Sequence, residues 1–277
     1  MNRYNHDRDA AGLTYVYPVV SRRAGGVSVG INLNPNSACD WHCVYCQVPG
    51  LIRGRAPQID LELLVAELKM LLDDILYGDF MQQRVDANCR QLCDIAISGN
   101  GEPTSCREFD AVVQAVVEMM VLYQLKIPLR LISNGSYAAK TVVQQGLKRM
   151  ALSNGEVWVK VDSATAVGIQ RINGVSLSPE KLFEQVKLMA QFCPSWIQTC
   201  MFNWDHEAPA EEEMDAYLGF LKRLKQDGVA LRGILLYGIA RPSMQPEGVH
   251  LSPLAKLSME QLAERIGAMG YSVKLSI

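Results

Sequence analysis

The sequence lacks any apolar run long enough to span a bilayer. Its first ten residues, MNRYNHDRDA, are polar and lack the apolar core of a signal peptide. It also lacks an excess of charge of either sign, since 27 lysines and arginines stand against 29 aspartates and glutamates, for a formal net charge of −2. We therefore expect a cytoplasmic protein that does not bind membranes, without the broad basic surface that nucleic acid requires.

Ligands for a structural zinc site are also scarce. The four histidines form no ligand motif, and no second C-x-x-C or H-x-x-H pair is present. Structural zinc takes four protein ligands, usually as two separated pairs. The eight cysteines of a cytoplasmic protein should be reduced, so we expect no disulfide framework.

Three cysteines nevertheless cluster on one short loop. Cys39, Cys43 and Cys46 stand in the spacing C-x3-C-x2-C within NPNSACDWHCVYCQVPG. His42 is a poor fourth ligand because it directly precedes Cys43. Three thiolates fit a [4Fe–4S] cluster whose fourth iron is left open. An iron–sulfur or zinc protein without enzymatic activity remains the alternative, and it needs a fourth ligand.

The rest of the chain alternates short apolar strands with amphipathic helices. Each βα unit is long enough for a right-handed crossover between parallel strands. An open partial barrel and a doubly wound open sheet both fit six such units. The tail YSVKLSI is a candidate for one more strand. The predicted strands of the six units are 26–35, 93–104, 128–136, 156–164, 196–202 and 231–242.

Four helix starts are predicted from capping residues. Asp60 and Ser178 are favourable N-cap residues, and 105–108 and 258–261 have the S-x-x-E/Q pattern of a capping box. A helix beginning near Cys106 would lower the pKa of that thiol. Cys106 is therefore a candidate for facing the substrate, against the alternative of a buried structural cysteine.

Four motifs follow predicted strands at their carboxyl ends, where parallel α/β sheets place their active sites. Alternation along the fourth strand puts Lys160 and Asp162 on one face. A plain turn is the alternative for Asn134 and the glycine after it, and a structural ion pair is the alternative for Lys160 and Asp162. The motifs are the cysteine loop, GNGEPT, SNGS and DSA.

The cysteine loop, with aromatic Tyr45 before its last cysteine, resembles the signature of the radical S-adenosylmethionine (radical SAM) superfamily. That family has a Gly-Gly-Glu-Pro-like motif after its second strand, where this chain has GNGEP over 99–103. The GNGEPT form is similar to the wyosine-type branch. The resemblance covers roughly residues 26–242. It implies an α/β fold with a parallel sheet, a partial (β/α)6 TIM-like barrel, with short N- and C-terminal additions.

The same resemblance implies one radical SAM domain over 1–277, with a core barrel over about 26–242 and a helix–strand extension over about 243–277. It implies a [4Fe–4S] cluster on Cys39, Cys43 and Cys46 that reductively cleaves SAM. The 5′-deoxyadenosyl radical then abstracts hydrogen from a substrate. An external electron donor of the flavodoxin or ferredoxin type and a small-molecule or peptide substrate are the implied partners. The implied SAM-binding residues are Tyr45, Gly99, Asn100, Gly101, Glu102, Ser133, Asn134, Lys160 and Asp162.

The substrate is less well defined by the sequence. A tRNA-modifying activity is the alternative, although the acidic balance argues against it. Arg53 and Arg55 are candidates for binding an anionic group, and a solvated loop is the alternative. On the fifth strand, Gln198 and Cys200 share one face, and Thr199 and Met201 share the other. Only one of these two sets can face inward. The candidates for substrate contact at the strand ends are Cys106, Tyr237, Arg241 and the loop 203–207.

Overall fold

A computed structural model describes residues 12–21 and 25–277, and the polar segment 1–10 lies outside them. The strands are β1 (Val16–Val20), β2 (Val27–Ile31), β3 (Ala38–Cys39), β4 (Ile52–Arg53), β5 (Leu92–Ile97), β6 (Leu129–Ser133), β7 (Gly155–Lys160), β8 (Ser195–Trp204), β9 (Leu231–Gly238), β10 (Leu251–Pro253) and β11 (Val273–Ser276). The α-helices are α1 (Leu61–Tyr77), α2 (Phe80–Arg84), α3 (Phe109–Leu122), α4 (Thr141–Leu152), α5 (Ala166–Asn173), α6 (Pro179–Phe192), α7 (Glu211–Gln226) and α8 (Lys256–Ala268).

The main sheet has the order β1-β2-β5-β6-β7-β8-β9-β11, and β10 pairs with β8 beside it. The strands from β2 to β11 along this order run parallel, and β1 is antiparallel to β2. The predicted α/β class with a mostly parallel sheet is confirmed. The terminal additions also extend the sheet, because β1 joins one edge and β11 joins the other.

Two of the predicted helix starts are confirmed by their caps. The Asp60 carboxylate accepts the backbone N–H of Leu63 at 3.0 Å, at the start of α1. The Ser178 hydroxyl accepts the backbone N–H of Lys181 at 3.2 Å, with proline in the first turn of α6. Each side chain satisfies a backbone donor that the first turn leaves unpaired.

The two predicted capping boxes are wrong. Residues 103–105 form a 3₁₀ turn, and α3 begins only at Phe109. The Ser105 hydroxyl donates to the Glu102 carbonyl at 2.7 Å and accepts the Ala56 N–H at 2.8 Å, so it joins two loops instead of capping a helix. The last helix begins at Lys256, two residues before the predicted cap at Ser258.

Several short elements have no counterpart in the sequence-based prediction. Strand β1 contains Pro18, which an edge strand tolerates because it has an unpaired side. Helix α5 has only eight residues, with Thr165 as N-cap and Gly174 in the left-handed conformation (φ 61°) after its end. Strands β3 and β4 form a separate two-stranded parallel sheet within the cysteine loop region.

A buried polar network lies at the amino-terminal side of the sheet. The Arg130 guanidinium contacts Asp94, and its Nε lies 2.7 Å from Glu156 Oε1. The indole N–H groups of Trp158 and Trp196 donate to Glu156 at 3.1 and 3.0 Å. Burial works to raise the pKa of Glu156, and the hydrogen bonds and charge of Arg130 outweigh it and lower that pKa. Both carboxylates thus have their compensating partner in one guanidinium.

No helix within residues 12–21 and 25–277 is long and apolar enough to cross a membrane.

We expect Arg130→Met to lower the free energy of unfolding by about 3–5 kcal/mol, because it leaves buried Asp94 and partly buried Glu156 without a counter-charge. Arg265→Met is the matched control. Arg265 also bridges two carboxylates, those of Glu211 and Asp215 at 2.8 and 2.9 Å, but it is 41% exposed. The control should lose at most about 1 kcal/mol. Urea unfolding measures both variants, and equal losses would contradict the role given to the buried network.

Candidate active site

A cavity of about 260 Å³ opens among the carboxyl ends of the strands. Cys39, Cys43 and Cys46 all line it. So do Tyr17 of β1 and Ser276 of β11, which lie on the two opposite edges of the main sheet. Both edges reach one cavity only if the sheet curls around it. The structure therefore favours the open partial barrel over a doubly wound open sheet.

The cysteine loop is held at its base by main-chain contacts. Arg53 follows it, and its guanidinium donates to the carbonyls of Asp40 and Gly174. The indole N–H of buried Trp41 donates to the Ser136 hydroxyl at 3.0 Å. Arg53 thus joins the loop to the end of α5 rather than facing the cavity.

A segment after β9, residues 243–247, crosses the cysteine loop, and we name it the strap. The Ser243 hydroxyl donates to the carbonyl of Val44 at 2.7 Å. The Gln245 amide donates to the carbonyls of Val48 and Cys46 at 2.8 and 3.3 Å. Sequence reasoning missed the strap because each partner lies about 200 positions away, and no local pattern marks it.

The glycines of GNGEP allow two loops to touch. Gly99 has φ +140°, a conformation that side chains disfavour, and a Cβ there would lie 2.5 Å from Asn32 Oδ1. A Cβ on Gly101 would lie 2.0 Å from the carbonyl oxygen of Ala38, in the cysteine loop. Asn32 accepts the backbone N–H of Asn100 at 3.0 Å. Asn32 was not predicted, since an isolated asparagine after a strand also fits an ordinary turn.

Glu102 is buried and binds the end of the neighbouring strand. Its carboxylate accepts the Ser133 hydroxyl at 2.7 Å, the Asn134 N–H at 2.7 Å and the Thr104 N–H at 3.0 Å. Burial, with repulsion from Asp40, raises the pKa of Glu102 to about 7, against the effect of these donors. These hydrogen bonds support a role of Glu102 in the turn, and its contact with SAM stays a prediction.

Tyr45 lies between Lys160 and Asp162. Its hydroxyl donates to the Asp162 carboxylate at 2.5 Å and accepts from the Lys160 ammonium at 3.1 Å. Asp162 also accepts from Asn173 at 2.8 Å and from the Cys200 N–H at 2.9 Å. Burial works to lower the pKa of Lys160, and the interactions with Tyr237, Asp162 and Cys43 outweigh it and raise that pKa.

Most of the predicted site residues come together at the cavity. Those that line it are Tyr45, Gly99, Gly101, Glu102, Ser133, Asn134, Lys160, Tyr237 and Arg241. Asn100 and Asp162 do not line this cavity, but Asp162 accepts hydrogen bonds from two residues that do, Tyr45 and Cys200. Gln198 and Cys200 form the inward set on β8. The Thr199 hydroxyl between them bonds outward, to Val161 and Tyr217.

The structure contradicts the prediction that Cys106 faces the substrate. It is 1% exposed, lies outside the lining of the cavity and places its sulfur 3.5 Å from Glu108 Oε2. Burial raises the pKa of its thiol to about 12. The expected lowering was wrong because burial outweighs the backbone hydrogen bond from Glu108, the N-cap residue of α3.

The loop 203–207 lies beside a second cavity of about 200 Å³, to which Trp204 and Glu207 contribute. The Trp204 ring stacks on His250 with 5.8 Å between centroids, and Arg171 covers it at 4.3 Å. Arg55, the other arginine near the cysteine loop, lies over the Tyr137 ring at 5.5 Å and is exposed.

No protein-family model matches the sequence. A curated relative, the GTPase Obg of Brachyspira hyodysenteriae, is 26% identical over 133 residues, which is 47% of this chain and only 17% of that protein. A radical SAM methyltransferase from Sphaerobacter thermophilus superposes with a TM-score of 0.63 at 11% identity, covering 94% of this chain and 69% of that one. The chain shares the fold of this radical SAM methyltransferase. TYW1 with a bound lysine-pyruvate adduct superposes with a TM-score of 0.58 at 13% identity, covering 88% and 74% of the chains.

The three cysteines of the loop are candidate ligands for an iron–sulfur cluster. Burial raises the pKa of Cys43 to about 12 and that of Cys39 above its usual range, so binding iron must displace their protons. Within residues 12–21 and 25–277, no three His, Cys, Asp or Glu side chains are grouped to share one metal ion. In a [4Fe–4S] cluster each thiolate binds its own iron. The three cysteines line one cavity, and three thiolates are the protein ligands of a cluster that keeps one iron open.

We expect Gly101→Ala to reduce the iron and sulfide bound after anaerobic reconstitution several-fold, because its Cβ forces the cysteine loop away. The free energy of unfolding should fall by about 1–3 kcal/mol. Gly219→Ala is the control, since it lies in α7 with nothing within 4 Å of the added Cβ. The control should keep full cluster content. Wild-type iron content in Gly101→Ala would contradict the close packing.

We expect Gln245→Ala to speed the loss of iron to a chelator, because the Val48 carbonyl loses the Gln245 amide and the Cys46 carbonyl keeps only the donors of Ser243 and Met244. Exposed Gln114, which donates to Glu118 on α3 at 2.8 Å, provides the control Gln114→Ala. Absorbance during anaerobic chelation gives both rates. Equal rates would show that the strap does not stabilise the loop.

Proposed function

We propose that the chain is a radical SAM enzyme acting on a small molecule or peptide. One observation carries the proposal. Three cysteines of one loop line the same cavity as the GNGEP turn, at the carboxyl ends of the strands of a radical SAM fold. A non-enzymatic zinc protein would need a fourth ligand on this loop, and His42 instead hydrogen-bonds Glu247 of the strap at 3.2 Å.

Cys39, Cys43 and Cys46 would hold a [4Fe–4S] cluster with one iron open to the amino and carboxylate groups of SAM. A bound cluster would supply the one-electron chemistry that cleaves the S–C5′ bond of SAM and so allows a hydrogen atom to be taken from the substrate. Gly99 and Gly101 line the cavity without side chains, so their backbone can approach the methionine group closely.

The remaining roles belong to charged and aromatic side chains of this chain. Lys160 stays protonated and faces the cavity, where its charge favours a carboxylate. Arg241 provides a second positive charge on the lining. Asp162 orients Tyr45 through the 2.5 Å hydrogen bond, and we propose that the Tyr45 ring packs beside the nucleoside of SAM. Glu102 holds the turn in place.

We propose that the electron comes from an external donor of the flavodoxin or ferredoxin type, and that residues 1–277 act as one radical SAM domain. The sheet does not close between β1 and β11 within the described residues, so the cavity has an open side. A small molecule or an extended peptide fits such an opening.

The test is anaerobic reconstitution with iron and sulfide, chemical reduction and incubation with SAM. We expect 5′-deoxyadenosine and methionine as products, and Cys43→Ala should abolish both. Cys193→Ala is the control, because Cys193 is also buried but lies outside the cavity lining, and it should retain the activity. A fully reconstituted cluster that leaves SAM intact would contradict the proposal.

A further inference from the structure

Gln198 lies in the middle of β8 and lines the candidate active-site cavity, yet it is only 2% exposed. Its carboxamide oxygen has no hydrogen-bond partner among the described residues. A buried acceptor without a donor lowers the stability of a protein. Such a group in a cavity wall requires an explanation.

Two other polar groups on the wall of this cavity, those of Glu102 and Tyr45, are satisfied by protein partners. The Glu102 carboxylate accepts hydrogen bonds from Ser133 and Asn134, and the Tyr45 hydroxyl lies between Lys160 and Asp162. The unpaired oxygen of Gln198 therefore does not reflect a general lack of partners in this part of the fold.

The fold itself does not need glutamine at this position. The register partners of Gln198 are Lys160 on β7 and Leu235 on β9. Leu235 packs with Trp158 and Trp196 in an apolar cluster. Methionine has nearly the same length and would pack beside this cluster without a buried acceptor. Glutamine is thus the costly choice for stability.

Gln185 is a second buried glutamine with an unpaired carboxamide oxygen, and it serves as a comparison for Gln198. Gln185 belongs to helix α6. Its side chain packs near Gly135 and does not line the cavity. An unpaired oxygen alone therefore indicates no site. Gln198 differs because the residue with the unpaired oxygen also lines the cavity, on the strand that pairs with the strand of Lys160.

We propose that Gln198 binds the ligand of this cavity, its carboxamide oxygen accepting a hydrogen bond from an O–H or N–H group. A hydrocarbon surface at this point of the ligand is excluded, because it would leave the oxygen unpaired. SAM carries hydroxyl and amino groups, and a polar substrate offers the same chemistry. The identity of the ligand rests on the proposed function, whereas the binding role rests on Gln198 itself.

The first measurement compares thermal unfolding of the SAM-free protein with that of Gln198→Met and Gln198→Leu. We expect the midpoint to rise by about 3 °C or more, since the buried acceptor is removed. A lower or unchanged midpoint in both variants, or failure of both to fold, would overturn the proposal, because glutamine would then be structural.

The second measurement is the Kd for SAM of the reconstituted proteins by calorimetry. If SAM supplies the donor, the Kd of Gln198→Met should rise about tenfold, as loss of one such hydrogen bond predicts. If the substrate supplies it, the midpoint still rises and the Kd for SAM stays within about twofold. Gln185→Met is the control and should leave the Kd unchanged.

The two measurements also separate this inference from the proposed function. Wild-type protein that binds no SAM after full reconstitution would contradict the radical SAM activity. The unfolding midpoints of the SAM-free proteins would still decide whether glutamine at 198 is retained at the expense of stability.

Discussion

The site depends on one buried carboxylate, that of Glu102. It accepts hydrogen bonds from Ser133 and Asn134 at the end of β6, while its own backbone belongs to the turn after β5. Asn134 in turn donates to Asp40 in the cysteine loop at 2.8 Å. A single buried acceptor thus joins two strand ends and, through one amide, the loop that carries the cysteines. Because a buried carboxylate left without donors is costly, all of these donors must stay in place together.

The cysteine loop has little regular structure, so its shape comes from contacts with distant segments. Gly101 lets the glycine turn approach Ala38, Arg53 joins the loop to the end of α5, and the strap binds its carbonyls from the opposite side. Each contact uses main-chain groups of the loop. Cys39, Cys43 and Cys46 line the cavity, and the Cys43 sulfur accepts a hydrogen bond from the Asn173 amide at 3.3 Å.

Local patterns of the sequence predicted the parts of the fold that local physics determines. Apolar runs predicted the parallel strands, and Asp60 and Ser178 predicted helix starts, because each cap acts within its own turn. The pattern at 105–108 failed because Ser105 bonds to a distant loop instead. Cysteine spacing and GNGEP predicted residues that the fold brings together at one cavity, whereas Asn32 and the strap depend on partners far along the chain and left no periodic signal.

The two polar layers inside the partial barrel have opposite consequences for stability. At the amino-terminal side, Arg130 compensates Asp94 and Glu156, so that network is complete without any ligand. At the level of Gln198, a carboxamide oxygen is buried without a donor. Evolution toward stability alone would complete or remove both layers. A fold that completes the first and leaves the second open keeps its rigid base separate from the surface on which a ligand gains hydrogen bonds.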